Sequence, residues 1–105
     1  MLYMIFDKKS DTNLVKVGRA KSIEERAKSY ATHNPLAELR WICQGTSGEE
    51  MRARKQILEC GGQRVKKIRS NEWIEVPIEI YNHLYEKGFS ALKGFASKNP
   101  RKYKG

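Results

Sequence analysis

Two short alternating segments flanking a turn signal constrain this chain more than any other feature. Leu2-Tyr3-Met4-Ile5-Phe6 reads as a buried strand and Leu14-Val15-Lys16-Val17-Gly18 as a second. The polar stretch between them holds Asp11-Thr12-Asn13, residue types that favour a turn. The pair is therefore expected to form an antiparallel hairpin. Ser22-Ile23-Glu24-Glu25 follows, with the serine and glutamate spacing of a capping box. A helix is predicted from there to about His33, stopping before Asn34-Pro35. Ile23, Ala27 and Ala31 share one face of that helix and should meet the sheet.

Further along, Leu39 to Cys43 reads as a third strand. Thr46-Ser47-Gly48-Glu49-Glu50 offers a second capping box, Ser47 with Glu50. The helix that follows carries Met51, Ile57 and Leu58 and should end at Gly61-Gly62. Residues 63–76 are mixed, with Gln63–Ile68 and Trp73–Val76 as short strands or extended loop. Pro77 suits the first turn of a third helix with Ile80, Tyr81, Leu84 and Tyr85 on its inner side, and Gly88 is its stop. Phe89, Leu92 and Phe95 suit one more short helix. The expected fold is α/β (α+β): a small antiparallel three-stranded sheet flanked by helices, in the order β-β-α-β-α-α. Residues 1–96 form one domain in this reading, and 97–105 a frayed basic tail.

Composition narrows the class. The 105 residues suit one small domain, and 39% hydrophobic content supports a modest core and argues against disorder. No run approaches the roughly 18 apolar residues of a membrane span, and the start lacks the pattern of a secretion signal, so a cytoplasmic protein with no membrane partner is expected. Cys43 and Cys60 have neither C-x-x-C spacing nor histidine companions, which disfavours zinc and leaves them as free thiols. The net charge of +9 favours a polyanionic partner. It is concentrated in Arg64, Lys66, Lys67 and Arg69, and after Glu86, where Lys87, Lys93, Lys98, Arg101, Lys102 and Lys104 meet no acid. A solvated basic face is the plainer reading of those runs.

Several residues in the first half of the chain suit phosphate chemistry. Tyr3 and Lys16 sit on hairpin partners, and Gly18 ends the second strand and permits close approach of a ligand. Arg26 and Tyr30 are one helical turn apart, with His33 following. A glutamate of the next helix, Glu50 or its neighbour Glu49, supplies a carboxylate. An arginine bridges two phosphate oxygens and stabilises charge that develops in transfer. A carboxylate holds a divalent ion. A tyrosine beside cations such as Lys16 accepts a proton from water. Each residue also has a plainer role. Tyr3 and Tyr30 serve as packing aromatics, Lys16 as a solvated strand residue, Arg26 as half of a surface ion pair, and His33 as a dipole contact at a helix end. For Glu50 the plain roles are the cap and a pair with Arg54, four residues on.

In order along the chain, Tyr3, Val17-Gly18, Arg26, Tyr30 and Glu50 resemble the motifs of the GIY-YIG nuclease superfamily. The likeness is nearest to its compact phage and bacterial branch, often labelled a DNA-binding domain, and it covers about residues 2–85. Asn71-Glu72-Trp73-Ile74 resembles the Glu-Trp-Phe signature near the end of that branch. Leu2 stands where many members have glycine-isoleucine. Lys16 replaces the second tyrosine of the name, as is common in the compact branch. The superfamily's late asparagine has no firm counterpart, Asn71 being poorly placed for it.

The resemblance implies a metal-dependent endonuclease that hydrolyses DNA phosphodiester bonds, leaving 5′-phosphate and 3′-hydroxyl ends. The catalytic set would be Tyr3, Lys16, Arg26, Tyr30 and Glu50, with Glu50 binding Mg2+ or Mn2+. Tyr3 would be the general base tuned by Lys16, Arg26 the transition-state cation, and Tyr30 the group orienting the phosphate. Arg19, Lys21, Lys66, Lys67 and Arg69 would hold the backbone of DNA, with RNA as an open alternative. Two other functions fit the same residues: a non-catalytic nucleic-acid-binding module on this scaffold, and a phage-type protein-interaction factor. Oligomeric state is not legible.

Overall fold

The computed structural model describes residues 1–9, 12–65 and 73–104. The hairpin is present: β1 (Leu2–Lys9) pairs antiparallel with β2 (Thr12–Arg19), Tyr3 opposite Gly18 and Ile5 opposite Lys16. Next come α1 (Ile23–His33), β3 (Ala37–Cys43), α2 (Ser47–Glu59), β4 (Gln63–Arg64), β5 (Trp73–Glu75) and α3 (Ile78–Lys87). Two 3-10 turns, Gly88–Ala91 and Ala96–Lys98, lead to β6 (Arg101–Lys102). Among the described residues the fold is a small α+β unit of three α-helices and one sheet. That sheet has six strands in the order β4-β5-β2-β1-β3-β6, which corrects the three-stranded expectation. The additional strands are two or three residues long, too short for alternation to register in the sequence.

Period-two alternation in β1 divides the core between two faces. Leu2, Met4 and Phe6 point one way and join Val15, Val17, Ala53, Ile57, Leu84, Phe89 and Phe95, beneath α2, α3 and the 3-10 turns. Tyr3 and Ile5 point the other way and join Leu14, Ile23, Leu39, Ile42 and Trp73, beneath α1. A bulge in β3 maintains this partition. Met4 pairs with Trp41 and Ile5 with Leu39, so Arg40 is the extra residue and Trp41 is turned to the α3 side. There Trp41 Nε1 (2.8 Å) and Arg40 Nε (2.6 Å) both donate to the carbonyl of Tyr85, which fixes the end of α3 against β3.

The helices begin and end on local signals, with two changes from expectation. Ser22 Oγ accepts from Glu25 N–H at 3.3 Å as N-cap of α1. The inner stripe of α1 is Ile23, Ala27 and Tyr30, and Ala31 is exposed. In α2 the cap is Thr46, not Ser47. Thr46 N–H donates to Glu49 at 3.0 Å and Glu49 N–H donates back to the threonine hydroxyl, so Glu49 is the capping-box acid and Glu50 is released from that duty. Met51, expected to help bury this helix, is 67% exposed; Ala53 and Ile57 carry the inner face.

Residues 98–103, expected to fray, are tied to the rest of the fold. Trp41–Ile42 pair with Arg101–Lys102, Tyr103 N–H donates to the Arg40 carbonyl at 2.8 Å, and Lys98 reaches Glu49 at 3.0 Å. Among the described residues no helix is long and apolar enough to cross a membrane.

Candidate functional site

Docking α1 against the hairpin brings four of the five expected catalytic residues together. Tyr3 leaves β1 on the α1 face and is 3% exposed. Its ring lies across Gly18 of the neighbouring strand, so closely that a Cβ at that position would stand 2.3 Å from the tyrosine Cζ and hydroxyl. The missing side chain at position 18 is thus what makes room for this ring. Arg26, one turn into α1, holds its guanidinium 6.0 Å from the centre of the Tyr3 ring, within range of a cation–π contact. Tyr30, the next turn on, packs at 6.4 Å from Tyr3 and edge-on to Trp73 at 6.5 Å.

Lys16 belongs to the same face and meets Tyr30 there. It is only 7% exposed, its register partner is Ile5, and its ammonium donates to the Tyr30 hydroxyl. It also lies 5.1 Å from the centre of that ring. The alternation of the strands foretells the shared face. That the lysine reaches Tyr30 depends on how α1 docks, which no local pattern encodes. Because the ammonium donates to the Tyr30 oxygen, the phenol keeps its own proton available to donate elsewhere. His33 at the end of α1 is exposed.

Beside this cluster, Arg19, Lys21 and Arg26 line the rim of a hollow of about 310 Å3 next to the start of α1. Arg19 and Lys21 are exposed, so three cations and the partial positive charge of a helix start face one opening. Lys66, Lys67 and Arg69, and the Asn71-Glu72 pair, lie outside the described residues.

Glu50 arrives from the opposite layer. Its helix packs on the other face of the sheet, and its carboxylate pairs with Arg54, the neighbour foreseen four residues on. Arg54 in turn donates through Nε to the Val17 carbonyl at 3.3 Å. Among the described residues β5 pairs with β2 from Leu14 to Lys16, next to Val17 and Gly18. Tyr3 reaches across Gly18 from one face, and the Arg54–Glu50 pair reaches Val17 from the other. Arg54 is the residue that sequence reasoning left without a site role; its spacing from Glu50 was the available signal. Glu49 is engaged by the cap and by Lys98, which draws its carboxyl below the ordinary value of 4.5, chiefly through the lysine hydrogen bond.

The divalent ion that the resemblance implies has a sparse set of donors. Among the described residues there is no group of three or more His, Cys, Asp or Glu that could hold a metal. A single hard carboxylate at Glu50, 14% exposed and shared with Arg54, suits Mg2+ only in the mode where water and substrate phosphates complete the shell.

Two comparisons were negative: no curated protein and no solved structure matches the chain. The third was positive, and it spans the hairpin, α1, β3, α2 and α3 that build the surfaces above. Over residues 1–87 the sequence fits the family described as the T5orf172 domain, and the chain belongs to that family.

Proposed function

We propose that this chain is a nucleic-acid endonuclease that hydrolyses DNA phosphodiester bonds with the help of Mg2+ or Mn2+. The observation that carries the reading is the convergence of Tyr3, Lys16, Arg26 and Tyr30 on the α1 face of the hairpin, beside the cationic hollow at Arg19 and Lys21. Membership of the T5orf172 family, which points to a nucleic-acid-related phage domain, and the resemblance of the ordered motif to GIY-YIG nucleases support it.

In this reading the substrate backbone enters over Arg19, Lys21 and Arg26, which hold its phosphates. Arg26 places two N–H donors on the scissile phosphate and stabilises the charge that builds there. Tyr3, acting as its phenolate, accepts the proton of the attacking water and becomes the neutral phenol. Tyr30 donates its proton to a phosphate oxygen or the departing oxygen while Lys16 fixes its orientation. Glu50 would hold the ion, whose contribution is to neutralise charge on the transferring group.

A plasmid-nicking assay with Mg2+ or Mn2+ tests the assignment. Arg26→Ala and Glu50→Ala are each expected to lower nicking at least about a hundredfold, the scale of losing one oriented electrostatic donor, while DNA binding stays measurable. Nicking that survives both changes removes the catalytic assignment. One observation favours a second reading, a binding module without catalysis: Glu50 is held by Arg54 on the far layer of the sheet. That reading predicts salt-dependent DNA binding with no metal-dependent product at all.

A further inference from the structure

Away from the Tyr3 cluster, the outer face of α2 carries a feature the reading above does not use. Gly48, Met51, Arg52, Lys55 and Leu58 follow one another at helical spacing and, with Arg64 of β4, line a groove of about 390 Å3. Its lining joins the apolar Met51 and Leu58 side chains to the cationic Arg52, Lys55 and Arg64. Met51 is one of the few large hydrophobic residues left exposed, at 67%. Among the described residues no carboxylate pairs with Arg52, Lys55 or Arg64. Arg54, which also lines the groove, is the partner of Glu50, so the groove runs toward the carboxylate of the candidate site.

We propose that this groove seats single-stranded nucleic acid, with phosphates on Arg52, Lys55 and Arg64 and one unstacked base against Met51 and Leu58. The inference rests on the nucleic-acid reading and extends it to a strand preference and a path. The charge complementarity selects a polyanion. The apolar part of the lining selects among polyanions. A duplex offers this helix only its phosphate rails and leaves Met51 facing water, whereas a single strand has free base faces to cover it. The opening is in the size range of pockets that take small organic groups, about 300–1,000 Å3, which suits one nucleobase with its sugar. A strand lying here passes Arg54 and is delivered toward Glu50.

The test is fluorescence anisotropy in EDTA, so that nothing is cleaved, with labelled oligodeoxythymidylate, a labelled duplex and a labelled Glu/Leu amphipathic peptide. Met51→Gln keeps the length and removes the apolar surface; it is expected to weaken oligodeoxythymidylate at least about fivefold and to leave the duplex nearly unchanged. The triple variant Arg52→Ala, Lys55→Ala, Arg64→Ala is expected to lower the slope of log K against log salt by about 2 for the single strand. All four positions are exposed, and circular dichroism checks that the variants fold. Wild-type protein that binds neither nucleic acid defeats the nucleic-acid reading itself. If it binds and neither variant changes affinity or slope, the groove assignment alone is overturned. Tighter binding of the peptide than of the oligonucleotide, dependent on Met51, assigns the groove to an acidic protein segment instead. A duplex preference that ignores Met51 overturns the single-strand assignment.

Discussion

At Gly18 one methyl group decides whether Tyr3 keeps its place. Restoring a Cβ puts it 2.3 Å from a rigid ring that is hemmed in by Tyr30 and Arg26, so the ring or the strand has to move. Gly18→Ala is expected to cost about 1–3 kcal/mol in urea unfolding, the usual penalty of overpacking, and to reduce nicking further than the stability loss explains. Unchanged unfolding and unchanged nicking together would show that the ring does not depend on that space. Cys43 supports a prediction of a different kind. Burial, with a smaller effect of Glu49, pushes its thiol from 9.0 up to about 11. A raised value favours the neutral thiol in the folded state. Its stabilisation is therefore whole below pH 9 and is lost as pH rises toward 11, by about 3 kcal/mol for a shift of this size. Comparing urea midpoints from pH 8 to 11 in wild type and Cys43→Ala isolates it; an equally steep alkaline loss in the variant would assign the effect to other groups. These single-residue details differ in legibility. A shared face for Tyr3 and Lys16 follows from the alternation of two strands. The lysine's contact with Tyr30 does not, because it is made by helix docking.

The start of α2 shows where local signals stop being decisive. Thr46-x-x-Glu49 and Ser47-x-x-Glu50 are overlapping capping boxes of the same kind, and sequence spacing ranks neither above the other. The tie is resolved by the two acids' other partners: Glu49 also reaches Lys98 on the C-terminal segment, and Glu50 pairs with Arg54 within the helix. Thr46→Ala should lose the Glu49 N–H acceptor and cost about 1 kcal/mol, whereas Ser47→Ala should change stability little. Equal losses at the two positions would mean that the cap is shared. The lowered carboxyl of Glu49 adds a pH signature. Its contribution is present above the ordinary value of 4.5 and falls away as pH drops through the lowered one, and Lys98→Ala should flatten that acid limb. The strands follow the same division. The hairpin is written in alternation and a turn. β4 and β6, at two residues each, exist because a longer strand is already there to pair with.

At the scale of the molecule, the order of the strands separates two patches of positive charge that the sequence could only add together. The basic residues of β6 sit beside β3, and Arg19 ends β2, with β1 and β3 between them. Three strand spacings, roughly 14 Å, exceed the screening length of about 8 Å at physiological salt. Arg101 and Lys102 close the β3 edge, where Tyr103 packs into the α1-side core. Removing residues 100–105 takes away the β6 ladder and the Tyr103 contact together. Stability is expected to fall by about 1–3 kcal/mol, from lost hydrogen bonds and apolar burial, and the newly bare edge should promote self-association at high concentration. Nicking at a temperature where the shortened chain remains folded should stay within about twofold of wild type, since none of the removed residues belongs to the Tyr3, Lys16, Arg26 and Tyr30 cluster. Urea unfolding, light scattering and the plasmid assay read the three consequences separately. A tenfold fall in nicking with unfolding unchanged would mean the opposite division of labour, with the terminal cations gripping substrate and contributing nothing to the edge of the sheet.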